Sequence, residues 1–228
     1  MKRIIMHWSA GAHRASKEDR AHYHLMIEGG GNVVYGDKPI SANAAPLSKD
    51  YAAHTAKLNT DSIGVAVCAM RGARQAPFSP GQYPITEAQV QGLVREVARL
   101  AKSYNIPVTR KTILSHAEVQ PTLGVRQAGK WDIAWIPGWK YATDPIGVGD
   151  HLRALIRAEI TGTARPVPKP VTPAPTPQLA KPAPTPQLAK PAPTPQLAKP
   201  APTPAKTAPL VLVLTIVAAV AAFLFLKG

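Results

Sequence analysis

Several things are scarce in this chain of 228 residues, and each scarcity excludes something. There is one cysteine, Cys68, so no internal disulfide can staple the fold and nothing points to an oxidising compartment. Aromatic residues make up only 6%. No strand carries the aromatic pattern of an RNA-binding sheet, and neither a helix-turn-helix nor a zinc-finger spacing is present, so nucleic acid is not an expected partner. The start, "MKRIIMHWSAG", has two basic residues but no apolar core of a cleavable leader, which makes the cytosol the expected place of synthesis. Acidic residues are missing altogether after Glu159.

That last absence divides the chain. All 13 acidic residues and 20 of the 27 basic ones precede residue 161, giving that part a charge of +7; the remaining seven basic residues give the tail another +7. A net charge of +14 favours anionic partners, an anionic wall polymer or lipid among them. Residues 1–160 are long enough to bury a core and are expected to form the globular domain. In residues 161–209 the nonapeptide "APTPQLAKP" recurs at 174, 183 and 192, with a truncated "APTPAK" at 201. Proline fixes φ and lacks the amide donor, so this segment is expected to be an extended polyproline spacer, an SH3-type ligand being the alternative. Leu210 to Leu226 are 17 uncharged residues, about 26 Å as a helix at ~1.5 Å per residue, and are read as a transmembrane helix rather than a buried core helix.

Within the domain, apolar runs and turn signals alternate. "RIIMH" reads as a buried strand ending at His7, residues 22–36 as a hairpin turning at "EGGGN", "SIGVAVCAM" (62–70) as another strand, and "TILSH" as a strand ending at His116. A polar, helical stretch precedes the hairpin. Thr86 and Gln89 have capping-box spacing, and Val90, Leu93, Val94, Val97 and Leu100 follow at helical period, until Asn105 and Pro107 end the helix. "DHLRALIRAEI" reads as a closing amphipathic helix. The fold class is therefore α/β, a small mixed central sheet packed by helices.

His7 and His116 each close a strand. If the strands are neighbours, both imidazoles emerge at one edge of the sheet, and a third ligand would complete a catalytic zinc site with one position left open. Asp132 is the candidate, brought back by the stretch after His116, which Pro121, Gly124 and Gly129 make read as loop. His22 and His24, two apart on a strand, are a weaker metal pair. Cys68 reads as a core thiol.

In order along the chain, "MHWSAG", "YHLMI…GNVVYG", "YAAHTAKLNTDSIGVAV", "SHAEVQP" and "GKWD" resemble the zinc-dependent N-acetylmuramoyl-L-alanine amidases of the type 2 class, whose fold is shared with peptidoglycan recognition proteins and phage lysozymes. The similarity spans roughly residues 3–157 and leaves out the repeats and the apolar tail. It implies that His7, His116 and Asp132 bind Zn2+, that Lys130 stabilises the tetrahedral oxyanion, and that Tyr23 assists the attacking water. It further implies that His54, Asn59 and Trp8 lie along the substrate groove, the tryptophan either walling the site or packing. One branch of the family carries a glutamate near Ala66; here Ala66 and Cys68 stand in that strand, which leaves the general base open.

The resemblance thus implies a monomeric peptidoglycan hydrolase cutting between N-acetylmuramic acid and L-alanine, a phage or prophage endolysin for host lysis. The alternatives are a non-catalytic peptidoglycan-binding module on the same fold and a membrane-tethered scaffold. Lys190, Lys199 and Lys206 precede the apolar segment and only Lys227 follows it. The positive-inside rule therefore expects a membrane-anchored domain held cytoplasmic until lysis gives it the wall.

Overall fold

The computed structural model describes residues 1–163. Both the expected spacer and the expected span at 210–226 lie outside the described residues, and no helix among the described residues is long and apolar enough to cross a membrane.

The sheet has five strands in the order β3-β2-β4-β1-β5. In chain order these are β1 (Arg3–Trp8), β2 (Leu25–Ile27), β3 (Val33–Tyr35), β4 (Ser62–Val67) and β5 (Ile113–Ser115). β1 pairs in parallel with β4 and β5, β2 pairs in parallel with β4, and β3 adds an antiparallel edge through the expected hairpin. The central strands are apolar along their length because both faces of the sheet are covered. Side-chain alternation sorts them cleanly. Ile4, Met6, Trp8, Ile63, Val65, Val67, Leu25 and Ile27 enter the main core, whereas Ile5 with Leu114, and Met26 with Ala66 and Cys68, form two smaller clusters.

The helices are α1 (Lys17–His22), α2 (Glu87–Ser103), α3 (His116–Leu123) and α4 (Pro145–Thr161). α2 and α4 pack on each other and cover the main-core face. The α2 start is the expected capping box: Thr86 Oγ1 accepts from Gln89 N, and the Gln89 side chain accepts from Thr86 N, both at 3.1 Å. Its apolar stripe, Val90, Leu93, Val94, Val97 and Leu100, is buried. α4 is longer than "DHLRALIRAEI" suggests, because Asp144 caps it and Pro145 occupies the first turn, where a missing amide costs no hydrogen bond.

Two expectations change. The hairpin does not begin at residue 22: α1, capped by Ser16 and Asp19, runs to His22 and leaves Tyr23 as its C-terminal cap. The stretch after His116 is not all loop. α3 starts at His116 and continues through Pro121 to Gly124, whose φ of 70° closes the helix in the left-handed region that glycine tolerates. Glu118 makes this start possible by accepting the Ser115 amide at 2.8 Å, and the proline forfeits only one helical hydrogen bond.

Candidate metal centre

The site lies on the sheet face opposite α2 and α4. His7 follows Ile5 on that face of β1, and His116 follows Leu114 where β5 passes into α3. The parallel register Ile4–Ile113, Ile5–Leu114, Met6–Ser115 carries the two histidines to the same end of adjacent strands, and their ring centroids are 4.7 Å apart. Asp132 returns to them by a backbone tie, its carbonyl accepting the Ala117 amide at 2.6 Å. Its Oδ2 is then 2.9 Å from His7 Nδ1 and 3.2 Å from His116 Nδ1.

These three side chains are buried, and one donor atom from each lies within 4.8 Å of the others. Two imidazoles and a carboxylate are a donor set that zinc uses in catalytic sites with one open position. The protonation states suit it. Burial pulls the His7 pKa down to about 4, against the opposing influence of the neighbouring Asp132, so the ring is neutral at pH 7 and has a lone pair to offer. For Asp132, burial raises the pKa, but the close approach of the His116 and His7 rings outweighs it and holds the carboxyl at about 2. The residues present therefore fit a divalent zinc ion.

Tyr23 stands beside this cluster, its ring centroid 5.2 Å from that of His7, and packs on the Ala66–Cys68 patch. Burial, and after it the charge of Asp132, push its phenol above the ordinary value, so it keeps its proton at any physiological pH. Lys130 is exposed, and its charge is felt at His7, where it lowers the pKa.

The other residues expected to touch substrate are placed differently. His54 is buried rather than groove-lining: its Nδ1 lies 3.2 Å from His7 Nε2. It lies flat on Gly64 of β4, where an added Cβ would stand 2.5 Å from its Cγ, so the close approach requires glycine. Burial takes the His54 pKa well below its usual value. Asn59 braces that loop, its Oδ1 accepting the backbone amides of His54 (3.1 Å) and Thr55 (2.8 Å). Trp8 turns to the other face of the sheet and packs edge-on to Trp131 at 4.6 Å, a core contact and not a wall of the site.

His22 and His24 do not form a metal pair. Exposed His22 bonds the Glu18 carbonyl through Nδ1, whereas buried His24 accepts the Gly64 amide on Nδ1 (2.9 Å) and donates from Nε2 to Asn43 Oδ1 (3.1 Å). Cys68 is a buried thiol whose pKa burial raises to about 12. Gln127 escaped the sequence reading altogether. It is buried, and its Oε1 meets His116 Nε2 at 2.8 Å. A glutamine in a loop has no local signature; only the tertiary contact reveals it.

Residues 1–139 match the family described as N-acetylmuramoyl-L-alanine amidase. No curated protein matches the chain. Among solved structures the chain is similar to N-acetylmuramoyl-L-alanine amidase LysC from Clostridium intestinale URNW, at 15% identity over 55% of this chain and 86% of that one (TM-score 0.34). It is similar to PlyL at 16% identity over 69% and 82% of the two chains (TM-score 0.40). A further similarity is to the amidase AmiD from E. coli, in complex with anhydro-N-acetylmuramic acid-L-Ala-D-gamma-Glu-L-Lys, at 19% identity over 51% and 48% (TM-score 0.37).

Proposed function

The chain belongs to the N-acetylmuramoyl-L-alanine amidase family, matched over residues 1–139, and from that premise we propose a zinc-dependent hydrolase that cuts the amide between N-acetylmuramic acid and L-alanine in peptidoglycan, acting as an endolysin. The observation that carries this reading is the buried meeting of His7 Nδ1, His116 Nδ1 and Asp132 Oδ2.

In this proposal those three atoms hold the metal. A zinc ion held there would supply Lewis-acid chemistry, activating water for attack at neutral pH. The protein's own groups do the rest. Lys130 places an ammonium where negative charge grows on the carbonyl oxygen, and losing such a donor costs on the order of 3 kcal/mol in the transition state. Tyr23 keeps its phenolic proton and so acts as a hydrogen-bond donor that orients the attacking water or the substrate carbonyl, not as a phenolate base. The β4 neighbour of His7 is Ala66, so no carboxylate from that strand can take up the proton. The +14 net charge favours residence on an anionic wall.

The test is zinc content together with release of L-alanine amino groups from purified peptidoglycan by the full-length chain. One zinc per chain, with release that a chelator abolishes, is the expected result. Binding to the wall without release would make the protein a recognition module.

A further inference from the structure

Each of the two histidines beside Asp132 has a second ring nitrogen, and both of those nitrogens meet fixed partners. His116 Nε2 is 2.8 Å from Gln127 Oε1. The orientation of that carboxamide is not free, because Gln127 Nε2 donates to the Ala56 carbonyl at 3.0 Å. With the amide nitrogen committed to a carbonyl, the oxygen must face the ring, and an amide oxygen can only accept. His116 Nε2 therefore has to carry the hydrogen, which leaves Nδ1 bare on the Asp132 side.

The arrangement at His7 is built from different residues and has the same outcome. His54 Nε2 faces the Ser62 carbonyl at 3.4 Å, so it is the protonated nitrogen of that ring and Nδ1 is the acceptor. His7 Nε2 lies 3.2 Å from this Nδ1 and 3.4 Å from Thr55 Oγ1, itself 2.9 Å from His54 Nδ1. His7 Nε2–H donates into this pair and again leaves Nδ1 bare. His54, Thr55 and Gln127 are all buried, so water does not compete for these bonds.

We infer that His54 and Gln127 are positioning residues which hold His7 and His116 as Nε2–H tautomers, so that both Nδ1 lone pairs converge with Asp132 on one divalent cation. The inference rests on the zinc reading above. Ala56 and Ser62, which fix the two acceptors, contribute only backbone carbonyls, so the information resides in His54 and Gln127 and in the folds of their loops. Asn59 belongs to the same device at one remove, since it holds the His54–Thr55 backbone.

The experiment is a zinc titration of the full-length chain against a competing chromophoric chelator at pH 7.5. The wild type is compared with Gln127→Met, His54→Leu and His54→Asn, the folding of each being checked by circular dichroism. Asparagine can put Oδ1 where His54 has Nδ1, so it restores an acceptor that leucine lacks. Removing either acceptor is expected to weaken zinc binding by about 10- to 100-fold, and His54→Asn to recover most of the loss. In the zinc-loaded wild type, nuclear magnetic resonance should show slowly exchanging Nε2–H protons on His7 and His116. Wild-type affinity in Gln127→Met and His54→Leu, failure of His54→Asn to do better than His54→Leu, or Nδ1–H rings in the wild type would each overturn the inference and leave the zinc reading standing. A wild-type chain that takes up no zinc would overturn both.

Discussion

His7 on β1 is paired in register with Ala66 on β4, and alternation puts both side chains on the face that holds the metal centre. A methyl group thus occupies the strand position nearest His7, and the Tyr23 ring packs on the patch that Ala66 forms with Met26 and Cys68. The polar group on that side of the site is the Tyr23 phenol, a hydrogen-bond donor that keeps its proton.

Tyr23→Phe should therefore keep the metal and lose turnover. Positioned proton-transfer groups contribute about 10²- to 10⁴-fold, and the lower end is expected for a phenol that orients and does not ionise. Steady-state rates on purified peptidoglycan, set beside zinc content, check this; an unchanged kcat would remove Tyr23 from the chemistry.

Asp132→Ala and Lys130→Ala should separate cleanly. The first takes away the only anionic donor of the cluster and should lose zinc and activity together. The second leaves the three donor atoms intact and should retain zinc, while kcat falls by about 10²- to 10³-fold. Metal analysis of the two purified variants distinguishes the roles; zinc retained by Asp132→Ala would refute the ligand assignment.

Stability should depend on a buried ion pair behind His116. Arg153 Nη2 donates to Glu118 Oε1 at 2.8 Å with both side chains buried, Arg153 Nη1 donates to the Ile113 carbonyl, and Glu118 Oε2 receives the Ser115 amide. Arg153 Nη2 also donates to the half-exposed Asp150 Oδ1 at 2.7 Å, so losing Glu118 leaves the buried guanidinium one outlying carboxylate in place of its buried partner. Glu118→Ala should cost about 3–5 kcal/mol. Urea denaturation reads this directly, and a loss within experimental error would show that the corner does not depend on the pair.

Acid should loosen the fold before it reaches ordinary carboxylate pKa values. Burial lowers the His24 pKa from 6.5 to about 4, with the hydrogen bond to Asn43 opposing part of that shift. The unfolded chain then binds a proton at His24 more readily than the folded one. The stability this neutral ring contributes is fully present above pH 6.5 and is lost progressively as pH falls from 6.5 towards 4, on the order of 3 kcal/mol at the lower limit. Urea midpoints of the chelated protein between pH 7 and pH 4.5 should fall, and fall less in His24→Gln. Parallel profiles would place the acid sensitivity elsewhere.

Much of this was legible in the chain, and what was not has a physical reason. β1, β4 and α2 were readable because their signals are local: uninterrupted apolar runs, and a Thr86–Gln89 box ahead of an apolar stripe. α3 was obscured by Pro121 and Gly124, which read as loop, although Ser115 and Glu118 already stood in capping-box spacing. The early end of the hairpin was lost for a similar reason, since "HYHLMI" has strand composition while the Ser16–Asp19 cap propagates a helix through His22. Among site residues, His7, His116 and Asp132 could be proposed from strand ends and a returning stretch. His54 was expected beside substrate and instead lies against His7, because Gly64 has no side chain to keep it off the sheet.

The sequence by itself determined the α/β character of the domain and the extent of α2, and it offered three candidate metal ligands, because hydrophobic period, capping and donor chemistry are properties of neighbouring residues. Only the tertiary structure decided which nitrogen of each imidazole faces Asp132, which carbonyls orient Gln127 and His54, and that Trp8 belongs to the core. Those outcomes depend on strand order and on which sheet face a side chain enters. Both are set by pairings between segments tens of residues apart, and no local pattern encodes them.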